Sequence, residues 1–184
     1  MVAAAVEPEA LIFVDECGLH TSLARVYCYA PRGERLRLSV PRKRGSNTTL
    51  ISSMTLRGMG PSLAVEGATT AGVFGAYYVE RVLVPELREG QIVVMDNLGA
   101  HRPKRVRELI EGRGCELLYL PAYSPDYNPI EEAFARIRGL LRRVAARSKG
   151  ALVEAMGVAL SAVSSQDARG FFKHAGYRQA VQLP

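Results

Sequence analysis

Two short apolar runs, LIFVD (11–15) and QIVVMD (91–96), each end on an aspartate. Runs of this length read as buried strands, and each delivers a carboxylate to the strand's C-terminal end. The chain between and after them supplies the rest of a sheet. TTLISSMTL (48–56) and SLAVEG (62–67) are β-rich and joined by R-G-M-G-P, a hairpin signal. VFGAYYVERVLVPELR places apolar residues at helical spacing, with Thr69 or Thr70 as its cap and Pro85 near its end. HRPKRVRELIEGRG is a helix closed by glycine, with Val106, Leu109 and Ile110 on one face, and CELLYLP (115–121) is another apolar strand. This strand, helix, strand order implies a right-handed parallel crossover. A helix from Pro129 to about Val144, an alanine-rich one from Gly150 to Ser164 and one more turn at FFKHAGY complete the chain. The order predicts an α/β fold: a mixed five-stranded sheet with helices on both faces and an insert after the first strand. If the first strand lies beside the fourth, Asp15 and Asp96 meet at the edge where α/β sheets collect ligands.

The insert, residues 19–46, holds seven Lys and Arg against Glu34 alone, which accounts for the whole net charge of +6. Within it, RVYCYAPRGERLRLSV predicts a small two-stranded excursion around P-R-G-E. A second basic run, Arg136, Arg138, Arg142, Arg143, Arg147 and Lys149, has no acid between 133 and 149. Two such concentrations beside an acidic site fit a polyanion, with Arg42, Lys43, Arg44, Arg138 and Arg142 as the candidate contacts to it. Either run alone reads equally as a solvated face. No stretch approaches eighteen apolar residues, and the opening MVAAAVEPEA lacks a basic n-region, so neither a membrane span nor a secretory signal is predicted. The expected location is the cytoplasm. Cys17, Cys28 and Cys115 are isolated, a pattern that suggests neither a zinc site nor a disulfide framework.

Two carboxylates at neighbouring strand ends repel and raise one another's pKa unless a cation sits between them. With no histidine or thiolate cluster beside them, hard oxygen donors point to Mg²⁺ or Mn²⁺. A third carboxylate would complete a two-metal site for phosphodiester chemistry. The candidate lies in PAYSPDYNPIEEAFARIR (121–138), where three prolines hold the approach extended before two adjacent glutamates enter the first helical turn. With Asn128 as cap and Pro129 in the first helical position, Ile130, Phe134, Ile137 and Leu141 form the buried stripe. At about 100° per residue, Glu131 then lies at the margin of the packed face and Glu132 faces solvent. Glu131 reads either as the third ligand or as the acid of a capping box with Asn128. Asp15 and Asp96, taken singly, also read as strand-end turn formers. His101, at a helix start beyond Asp96, reads equally as an accessory group orienting a phosphate or metal-bound water and as a plain helix-start histidine. Asn97 is expected to bond the strand-end backbone, and Glu16 to face away from Asp15. His20 and His174 show no convergent partner.

VDECG, MDNLGAH and LPAYSPDYNPIEEAFARIR together resemble the three motif blocks of insertion-sequence and mariner-type transposases, members of the RNase H-like D-D-E superfamily. Between Asp96 and Glu131 lie 34 residues, the spacing that family favours, and the resemblance runs from about residue 11 to 145. It implies that Asp15, Asp96 and Glu131 bind two Mg²⁺ or Mn²⁺ ions, that donor DNA is hydrolysed at the element's ends, and that a released 3′-hydroxyl attacks target DNA. It also implies a nucleoid-associated homodimer in which the 19–46 insert is a clamp-like loop reaching the second subunit. Such transposases usually begin with helix-turn-helix readers, and nothing before residue 11 could hold them. The chain is therefore expected to be an RNase H-like catalytic domain over 1–184, from a truncated gene, an engineered fragment or the second frame of a split element, without end recognition of its own and with a separate helix-turn-helix protein or reading frame as one candidate partner. The rival expectation is a catalytically idle remnant that binds DNA or dimerises with an intact transposase.

Overall fold

The computed structural model describes residues 7–37, 39–41, 47–97 and 104–178. Its strands are β1 (Leu11–Leu19), β2 (Thr48–Thr55), β3 (Gly58–Glu66), β4 (Ile92–Met95) and β5 (Glu116–Tyr119). They form one sheet in the order β3-β2-β1-β4-β5. The first three make an antiparallel meander, and β4 and β5 run parallel to β1. This is the expected mixed sheet, with the first strand beside the fourth. Its helices are a π helix (Val73–Leu83), α1 (Lys104–Glu111), α2 (Ile130–Val144), α3 (Lys149–Ser161) and α4 (Ser165–His174). Among the described residues no helix is long and apolar enough to cross a membrane.

Side chains along β1 alternate between two cores. Leu11, Phe13, Cys17 and Leu19 pack with Phe134, Ile137, Met156 and Phe172 of α2, α3 and α4, whereas Ile12 and Val14 pack with Phe74, Tyr78, Val106 and Ile110 of the π helix and α1. Alternation fixes the side on which the acids emerge. Asp15 shares the face of Phe13 and Cys17, and Asp96 shares that of Val94, so both carboxylates belong to the side covered by α2.

Five elements differ from expectation. The proline-framed approach to α2 is not extended: Tyr123 takes φ +56° and Pro125–Tyr127 is a 3-10 turn. β1 does not stop at Asp15: it continues to Leu19 by pairing with β2, while its pairing with β4 ends at Val14. Asp15 therefore sits in mid-strand, at the point where the sheet loses its fourth strand. The helix after Thr70 is π-wound because of where its apolar residues fall. On an α-helix Leu83 would lie opposite Phe74, at about 100° per residue. Bonding from i to i+5, as in the Val84 N–H donating to the Val79 carbonyl, narrows that step and brings Phe74, Tyr78, Val79 and Leu83 to one buried face. The excursion around P-R-G-E forms no strand among its described residues, whose side chains from Arg25 onward are exposed. A lone two-stranded ribbon with no apolar face to bury is marginal in water. At the other end, FFKHAGY belongs to a full helix because Ser164 and Asp167 build a capping box. The Asp167 carboxylate accepts from the Ser164 N–H at 2.9 Å, and Ser164 Oγ accepts from the Asp167 N–H at 3.2 Å.

Candidate functional site

The parallel pairing of β1 and β4 sets the first two acids. Phe13 pairs with Val94 and Val14 with Met95, so Asp15 and Asp96 each follow directly on the last bonded pair of the seam. Asp15 is only 9% exposed. Its Oδ1 accepts the Glu16 N–H at 2.7 Å, and its Oδ2 accepts the side-chain amide of Asn128 at 2.9 Å. Asp96 is half-buried and opens into a cleft of about 350 Å³ that Glu131 also lines. Asn97, Leu120, Ser124 and Asn128 form its walls, and the side chain of Tyr123 stands at it fully exposed.

Asn128 is not the cap that its position suggests. α2 begins at Ile130 after Pro129, no side chain caps its first turn, and the Asn128 N–H is given to the Pro125 carbonyl at 2.8 Å. Its amide goes to Asp15 because both residues are buried, and a buried carboxylate short of donors costs more than an exposed helix-end N–H. With the Asn128 N–H already used, Glu131 has no capping box to complete. Glu131 is exposed and makes no ion pair among the described residues. Its neighbour does not simply face solvent: Glu132 is half-buried, and its Oε1 meets His174 Nδ1 at 2.7 Å. The hydrogen bond to Glu132 and that residue's charge raise the His174 pKa above the ordinary imidazole value.

Among the described residues, no three His, Cys, Asp or Glu side chains stand close enough together to hold an ion. Asp96 and Glu131 share the cleft, while Asp15 stands one strand away behind the Asn128 amide. All three are hard oxygen donors, and that donor chemistry suits Mg²⁺ or Mn²⁺. Asn97 Oδ1 is buried without a hydrogen-bond partner among the described residues.

The second basic run divides by role. Arg147 donates to the carbonyls of Thr21 and Leu23, both at 2.9 Å, and so pins the root of the insert. Arg136 pairs with Asp167 at 3.2 Å, and Lys149 pairs with Glu66. Arg138 is half-buried against Cys17, whose thiol is pushed up by burial while the guanidinium opposes the shift. Arg142 is half-buried and Arg143 exposed. Arg42, Lys43, Arg44 and His101 lie outside the described residues. Sequence reasoning missed the amide of Asn128 as a partner for Asp15 and found no partner for His174. The available signal for Asn128 was a polar side chain set among Tyr127, Pro129 and Ile130.

A family model described as DDE superfamily endonuclease matches residues 10–152. No curated protein sequence matches the chain. Among solved structures, a pre-cleavage Mos1 transpososome superposes with a TM-score of 0.69 at 16% identity, covering 92% of this chain and 54% of that one. The mariner Mos1 paired end complex with Mg gives 0.69 at 20% identity, covering 92% and 53%. The catalytic domain of Mos1 mariner transposase gives 0.62 at 17% identity, covering 92% and 79%. The chain thus spans about half the length of the first two. At these identities the likeness is one of fold, the RNase H-like transposase catalytic fold.

Proposed function

The chain belongs to the DDE superfamily endonucleases, and from that premise we propose that it cleaves DNA with divalent metal ions and joins the freed end to target DNA in the transposition of an insertion sequence. The observation that carries this reading is the pairing of Val14 with Met95, each one residue before an aspartate, next to a cleft that Asp96 and Glu131 line. Asp15, Asp96 and Glu131 would hold two Mg²⁺ or Mn²⁺ ions, a choice supported by the Mos1 paired end complex with Mg. When bound, such ions stabilise charge on the attacking and leaving oxygens of a phosphodiester. Asn128 orients the Asp15 carboxylate through its amide. The three-proline approach presents Glu131 at the start of α2. Arg142, Arg143 and the insert's arginines would contact phosphates, which position DNA without reading its sequence. The partners are then element ends and target DNA, and a second copy of the chain.

One observation favours the idle-remnant reading: Asp15 is held by Asn128, and no three-carboxylate cluster stands ready among the described residues. Mn²⁺-dependent nicking of supercoiled plasmid separates the two. The wild-type chain is expected to nick. Asp96→Asn is expected to fold, to melt at the same or a slightly higher temperature because carboxylate repulsion is relieved, and not to nick. A wild-type chain that binds DNA without nicking it establishes the remnant, and nicking by pure Asp96→Asn removes Asp96 from the reaction.

A further inference from the structure

The start of α2 is held from behind by the C-terminal helix. α4 ends in a Schellman turn with Gly176 at φ +94°, where a residue with a Cβ is strained. In that turn the Tyr177 N–H donates to the Phe172 carbonyl at 2.9 Å and the Gly176 N–H to the Lys173 carbonyl at 3.2 Å. The reversal folds the Tyr177 ring back onto Phe172 and Phe13, with centroids 6.0 and 5.0 Å away. From there its hydroxyl donates to the Tyr127 carbonyl at 2.9 Å. Burial pushes this phenol up to about 12, so the donor keeps its proton. The last residue of α4, His174, meets Glu132 at 2.7 Å. Between these two anchors lie Asn128, tied to Asp15, and Glu131, which faces the cleft.

We propose that Tyr177 and His174 are positioning residues for DNA cleavage: by fixing Tyr127 and Glu132 they set the entry of α2, and so the reach of Glu131 toward Asp15 and Asp96. The inference rests on the function proposed above. Neither residue lines the cleft. Both act on a helix start that lacks a side-chain cap, and such ends fray unless something else holds them. Glu131 is in that first turn, where a displacement of about 1 Å can lower a rate by roughly 100-fold. The arrangement also separates the two adjacent glutamates, since one faces the cleft and the other anchors the turn that carries it.

Three variants test this. Tyr177→Phe removes the hydroxyl and leaves the ring in place, Glu132→Ala removes the acceptor for His174, and Glu132→Gln keeps an acceptor. Amide hydrogen exchange on the full chain, without metal or DNA, is expected to quicken about tenfold over residues 128–133 in the first two variants and to stay unchanged in β1 and β4. In Mn²⁺-dependent plasmid nicking, their kcat is expected to fall about tenfold while KM for DNA stays within about twofold. Glu132→Gln should restore most of both properties. Wild-type exchange over 128–133, or wild-type kcat, in both Tyr177→Phe and Glu132→Ala overturns the proposal. A wild-type chain that does not nick at all sinks the proposed function and the reaction these residues would serve, whereas the exchange result separately upholds or removes the brace.

Discussion

At the scale of single residues, Glu131 and Glu132 differ in what surrounds them rather than in chemistry. Glu131 opens on the cleft and Glu132 meets His174. Replacing each by glutamine removes the same charge from the same helical turn. Glu131→Gln is expected to lower nicking by roughly 100-fold or more, because an amide is a poor substitute for an ionic oxygen on a divalent ion. Glu132→Gln keeps its bond to His174 and should lose far less; comparable losses at both positions would remove Glu131 from the reaction. The strands that lead to Asp15 and Asp96 and the buried stripe of α2 were legible in the sequence because each rests on local pattern: an apolar run closed by an acid, or a helical period. The partner of Asn128 was not. Cap preference is a short-range tendency, and it was overridden by the need of a buried carboxylate 113 residues away.

At the scale of elements, α4 is joined to α2 by an ion pair whose strength follows pH. Glu132 holds the folded-state pKa of His174 above its ordinary value, chiefly by accepting its hydrogen bond. The stabilisation is therefore fully present below the ordinary imidazole range and is lost as pH rises through the raised value. The melting-temperature gap between wild type and His174→Ala should be widest near about pH 5 and narrow by about pH 9. A gap that does not change with pH would show that the pair contributes no charge interaction. The sequence held more about these elements than a helical wheel extracts from it. The positions of Phe74, Tyr78, Val79 and Leu83 already carry the longer turn of the π helix, and Ser164, Asp167 and Gly176 mark both ends of α4. The extra length of β1 was illegible, since C-G-L after Asp15 becomes strand only through its pairing with β2.

At the scale of the whole molecule, charge and topology act separately. The insert holds the net positive charge, and sequence-independent DNA binding should depend on it. Reversing charge at Arg42, Lys43 and Arg44 is expected to weaken binding almost equally for all duplexes, and to flatten log K against log salt by up to about 0.9 for each phosphate no longer neutralised. Anisotropy titrations over a range of salt concentrations measure both effects, and unchanged binding would make the insert a protein-contacting element. The topology was legible because few connections satisfy strand, hairpin, helix, strand, helix, strand, and the right-handed crossover narrows them further. It has a consequence for how the molecule becomes competent. The meander of β1, β2 and β3 pairs neighbours along the chain, whereas the seam between β1 and β4 must wait for a loop of roughly seventy residues to close. A chain partway through folding can thus own its sheet and still lack the juxtaposed charges. A cation gripping both aspartates would then act as a latch on the finished topology, binding only molecules that have completed their most distant strand pairing and resisting the fraying of β4.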